Sequence, residues 1–144
     1  MSIFRASEMR YYPDLRKDDF IPLAVVVSKK TADGPRVAYA CVRDPKVRAD
    51  DLIIDAIMRN WFTYVGETVT AALSEAETRG ADVLEALRVK SRLSIRASAP
   101  EDLSIRDDPD VDLHRIAKAR FDATVGKHPH FAGSAGEPLL ATMR

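Results

Sequence analysis

Between residues 10 and 16 the chain sets two arginines, two tyrosines and an aspartate in the order Arg10-Tyr11-Tyr12-Pro13-Asp14-Leu15-Arg16. Guanidinium groups fork onto phosphate or carboxylate oxygens through paired N–H donors. Arg10 and Arg16 could grip such an anion, with Tyr12 as a further donor and Asp14 fixing one arginine. The simpler alternative is a turn capped by Asp14, its arginines paired with Asp18 and Asp19 in surface ion pairs. A second basic group is Arg88, Lys90, Arg92 and Arg96, in which Arg92 and Arg96 alternate with Ser94. That stripe would suit a nucleic-acid backbone, but no aromatic side chain shares its face to stack a base. A solvated strand face is the simpler reading there.

Three histidines and one cysteine complete the reactive residues. His128 and His130 sit two apart and His114 lies upstream, with Asp110 or Asp122 able to serve as the third protein ligand that zinc would need. They lack the thiolate pair or helical histidine spacing of zinc sites, so no metal and no cofactor is implied. Cys41 lies between Ala40 and Val42 with no histidine near it in sequence to activate it, which reads as a buried, inert thiol. One cysteine excludes an internal disulfide and a thiolate-held cluster. Glycine-rich phosphate loops, H-E-x-x-H, G-x-S-x-G and EF-hand patterns are all missing. No catalytic residue is assigned, and this argues against an enzyme.

The elements that must position these residues are legible from periodicity. Ile3 to Tyr12 and Ile21 to Lys29 read as strands. The second is apolar on both faces through Leu23-Ala24-Val25-Val26-Val27, as a central strand is. Asp33-Gly34 marks a hairpin leading into Arg36 to Val42. Asp50 or Asp51 then caps a helix whose stripe runs through Ile54, Ile57, Met58, Trp61, Val65, Val69, Ala72 and Ala76, ending at Gly80. Straight from 51 to 79 it would run about 44 Å, so it spans the domain or bends, with Gly66 the expected bend. Its first half is apolar almost all round, which predicts deep packing or an interface. A short helix over Ala81 to Val89 and an alternating strand over Arg92 to Ser98 follow. Asp107-Asp108-Pro109-Asp110 is the expected start of a last helix, carrying Val111, Ile116, Ala119, Phe121 and Val125 inward and ended by Gly126. The expectation is one α+β domain over 1–126, with an antiparallel sheet of about four or five strands on one long and two shorter helices. Residues 127–144 are expected to be an irregular tail docked through Phe131, Leu139 and Leu140.

Bulk composition agrees with one globular domain. Of 144 residues, 46% are apolar and 31% charged, enough to bury a core and too apolar for a disordered chain. The 22 basic and 22 acidic groups cancel, which disfavours broad capture of nucleic acid or anionic membrane. The zero is segregated: residues 1–48 carry ten basic and six acidic groups, and residues 49–80 carry two and six. Met1 to Phe20 has no apolar h-region, and the longest apolar run is far below the roughly 20 residues of a membrane span. A cytoplasmic setting is expected.

Arg10-Tyr11-Tyr12-Pro13-Asp14, then Asp18-Asp19-Phe20 and the apolar strand from Ile21, resembles the opening of a bacterial family, domain of unknown function 3037. The far end is similar too, with a β-like stretch before Asp107-Asp108-Pro109 and a helix carrying Leu113 and Arg115. The chain departs from that pattern at Ile21-Pro22-Leu23-Ala24, where the family usually carries Asn-x-Gly. The resemblance imports no reaction. It implies a small accessory protein with a protein partner, in some cases a kinase-like toxin protein. The expected function is thus a bacterial interaction domain in a homo- or hetero-oligomer. The alternatives are a binding protein or small enzyme for a phosphorylated or carboxylated ligand at Arg10, Tyr12, Asp14 and Arg16, and a nucleic-acid-binding accessory protein.

Overall fold

In the computed structural model, which describes residues 4–90, 94–103, 105 and 112–143, an antiparallel sheet of six strands carries helices on both faces. β1 (Phe4–Tyr11), β2 (Ile21–Thr31) and β3 (Gly34–Cys41) form the expected meander. Their hairpin turns through Ala32 and Asp33, and the positive φ of 111° falls on Gly34, one residue later. Leu23 to Val27 are all at most 1% exposed. Successive strand side chains point to opposite faces, so both faces of β2 are covered.

The first helical stretch is two helices. α1 (Leu52–Arg59) is capped by Asp51, whose carboxylate accepts from the Ile53 and Ile54 amides, and α2 (Trp61–Arg79) ends at Gly80 with φ 64°. The break lies at Asn60 (φ −120°, ψ 40°), not at the expected Gly66. Asn60 turns its own amide group back onto the Ala56 carbonyl at 3.2 Å, competing with the helical ladder as short polar amides do. Gly66 serves another purpose: a Cβ there would sit 2.9 Å from the Tyr39 hydroxyl, so its missing side chain lets α2 approach β3 closely. Trp61 is buried and donates its indole N–H to the Leu23 carbonyl at 3.0 Å, as a core tryptophan should.

α3 (Val83–Val89), capped by Asp82, packs on α2 and reaches β1 and β2. β4 (Ile95–Ala97) and β5 (Glu101–Leu103) share the outer edge of β1, the first opposite Met9–Tyr11 and the second opposite Phe4–Ala6. Ser98 joins the two, its amide donating to the Glu8 carbonyl and its hydroxyl accepting from the Glu8 amide, each at 2.8 Å. α4 (Leu113–Ala123) is capped by Asp112 and packs on β2 and β3. The start expected over Asp107 to Asp110 lies outside the described residues, as does Val111. Leu113, Ala117, Phe121 and Val125 form the buried stripe, Ala119 points to solvent, and the helix stops before Gly126, at Thr124.

The C-terminal segment corrects the expectation of an irregular tail. Leu139–Met143 forms β6, the edge strand beside β3. Before it, buried Phe131 anchors the chain, and the Arg43 guanidinium donates to the Glu137 carbonyl at 2.9 Å. Leu139 is partly buried, but Leu140 is 37% exposed and contributes less to docking than expected.

Candidate functional site

Pro22 begins the site's construction. It has no N–H to offer the ladder, and opposite it the β1–β2 register shifts between Met9 and Arg10. Such a bulge re-aims the side chains that follow it. Beyond it, Arg10 lies directly opposite Arg96 of β4. Like charges in that position oppose pairing. The arginines are held apart by aromatic stacking: Arg10 lies over the Phe20 ring at 3.9 Å and Arg96 over the Tyr12 ring at 4.5 Å. Tyr12 and Phe20 in turn meet at 5.7 Å between centroids. Glu8 takes one edge of Arg10, accepting from Nε at 3.0 Å and from a terminal nitrogen at 2.6 Å.

Arg10, Tyr12 and Arg96 open onto a cleft of about 920 Å³, which Arg88 of α3 and Ser94 also line. Ile53 and Ile54, in the first turn of α1, supply an apolar wall beside Asp51. The nearby Tyr11 phenol is pushed above its ordinary value of 10.0 by burial and then by the Asp50 and Asp51 carboxylates, so it stays protonated near neutrality.

The two basic groups read from the sequence are therefore regrouped. Arg10 and Tyr12 join Arg88 and Arg96. Asp14 and Arg16 do not line this cleft: Asp14 caps the turn by accepting from the Arg16 amide at 3.0 Å, and the Arg16 side chain, 90% exposed, pairs with it. Lys90 turns instead to Glu75 of α2 at 2.6 Å, where its ammonium holds that carboxyl below the usual range. Arg92 lies outside the described residues. The expected Arg10–Arg16 constellation thus does not converge, because Pro13 and the Asp14 turn carry the chain away after Tyr12.

Next to the cleft, and sharing Ile53 with it, a groove of about 730 Å³ runs along α1 and α2 past Leu52, Ile57, Tyr64 and Lys90. Leu52 is 83% exposed and Ile53 62%, and Val89, beside Lys90, is 77% exposed. Deep packing of the first helical half within this chain is thereby corrected, and its apolar outer face lies open.

The chain matches no family model, no curated protein and no solved structure. Its site is read from its own residues. Among the described residues no three histidine, cysteine, aspartate or glutamate side chains gather as a metal would need. His130 meets the Pro45 carbonyl at 3.0 Å through Nε2, while His114 meets Thr142 of β6. Cys41 is buried in β3, and burial pushes its thiol up to about 12. No described helix is long and apolar enough to cross a membrane.

Proposed function

We propose that this protein is an accessory interaction domain that docks a partner chain, or a second copy of itself, over the exposed apolar face of α1. The observation that supports it is the pair Leu52 and Ile53, left 83% and 62% exposed at the start of a well-capped helix. Exposed clusters of large apolar side chains mark interaction surfaces far more than single ones do. Covering a leucine or isoleucine stabilises by about 1.5–3 kcal/mol. Two of them fall short of the roughly 8 kcal/mol of a micromolar complex, so the partner must also cover Ile57 and Tyr64 along the groove, and Val89 next to Lys90. The resemblance of both chain ends to domain of unknown function 3037 supports the same reading, since it implies an accessory protein with a protein partner, in some cases a kinase-like toxin protein.

Hydroxyl-radical footprinting tests the location of the surface. In protein purified without a tag from native extract, Leu52, Ile53 and Val89 are expected to be protected relative to the same chain unfolded, refolded alone and diluted until it is monomeric. Equal labelling of all three in both samples would remove this face from consideration.

A further inference from the structure

We propose that the cleft between the end of β1, β4, α3 and the start of α1 binds a phosphorylated small molecule. The proposal stands on the cleft's own residues and does not depend on the partner reading. Three guanidinium groups, Arg10, Arg88 and Arg96, border one concavity that has two serines, Ser94 and Ser98, on its wall. Arg10 and Arg96 are cross-strand neighbours, a like-charge juxtaposition that concentrates positive charge at the cleft. Both guanidinium carbons sit over aromatic rings within cation–π distance, which ties each group to the wall of the cleft. Glu8 occupies one edge of Arg10, and a guanidinium carries five donors, so further donors remain on that group.

Asp51 lines the cleft, but one of its oxygens already accepts from the Ile53 and Ile54 amides at 2.8 and 3.2 Å. That cap also closes the α1 N-terminus, so the arginines, not the helix end, form the anion site. A carboxylate carries one charge and two oxygens. A phosphate monoester carries about −1.5 to −2 and three oxygens, which suits several guanidinium groups better. The cleft, at about 920 Å³, is far larger than a phosphate and within the range of small-molecule sites. Ile53, Ile54, Ala97 and Ala99 give the organic part an apolar wall.

Titration calorimetry with inorganic pyrophosphate as the probe, and with citrate as a carboxylate of similar charge, tests this. Pyrophosphate is expected to bind the wild-type protein, and Arg88→Ala to weaken it about tenfold or more. Arg88 is half exposed with only a 3.9 Å contact to Glu85, so its removal leaves the fold intact, which a melting curve verifies. Arg96→Gln is the second variant and is expected to weaken binding similarly, while Arg16→Ala, outside the cleft, leaves it unchanged. No pyrophosphate binding at millimolar concentration would overturn the proposal. So would equal binding by Arg88→Ala and wild type, or citrate binding as tightly as pyrophosphate.

Discussion

Arg10 and Arg96 oppose each other across β1 and β4, and each rests on an aromatic ring whose quadrupole attracts its charge. At the scale of single residues this is where chemistry concentrates, and only half of it was legible. Arg10 and Tyr12 stand out by type and spacing. Their partnership with Arg88 and Arg96 depends on strand register and helix docking between distant stretches of chain, which spacing does not encode. Ser7 shows the opposite case: its hydroxyl is buried in β1 without a partner among the described residues, a cost the surrounding packing must offset. Cys41 reads correctly as a buried thiol, and its environment makes a signed prediction. Burial raises its pKa from 9.0 to about 12, so the folded chain keeps a proton that the unfolded chain loses above pH 9. Stability therefore falls as pH rises through that window, by about 1.4 kcal/mol per pH unit at most. Urea melts between pH 8.5 and 10 should show this slope in the wild type and a shallower one in Cys41→Ala. The window stops at 10 because Tyr11 and Tyr39, also raised by burial, add the same sign beyond it.

At the scale of elements, strands and caps were the readable part. A run apolar on both faces identifies β2, and Asp51 and Gly80 mark helix ends by chemistry that acts within a few residues. β6 was hidden because Leu139–Met143 follows a proline- and glycine-containing stretch and is organised by the open edge of β3, a tertiary cause. The helix break was misplaced for a similar reason. Glycine invites a bend, but Gly66 is straight and needed for contact, whereas Asn60 bonds back onto α1. The close approach of α2 to β3 is testable by a double-mutant cycle. Gly66→Ala should destabilise by about 1–3 kcal/mol, because the new methyl presses on the Tyr39 hydroxyl, whose ring is 3% exposed. With Tyr39→Phe in place the same change should stabilise by up to about 1 kcal/mol, as alanine is the better helix former. Additive effects in urea unfolding would show that Gly66 and Tyr39 do not touch.

At the scale of the whole molecule, the cancelled charge resolves into a basic sheet segment over residues 1–48 and an acidic helical segment over 49–80, lying against one another. The sheet is covered on both faces by this chain's own helices, and the most exposed large apolar side chains are Leu52 and Ile53 on α1 and Val89 at the end of α3, with Leu15 and Leu140 exposed to a lesser degree elsewhere. The α1 face separates a self-sufficient domain from one made to be covered. Light scattering on the untagged protein from native extract tests this most directly, with Leu52→Asp as the paired sample. Aspartate in the first turn of a helix is favourable, so the variant keeps α1 and changes only the surface. The wild type is expected to run as a complex clearly heavier than the 16.0 kDa chain, shifting toward 16.0 kDa for Leu52→Asp. A wild-type protein that runs at 16.0 kDa with nothing bound would contradict it.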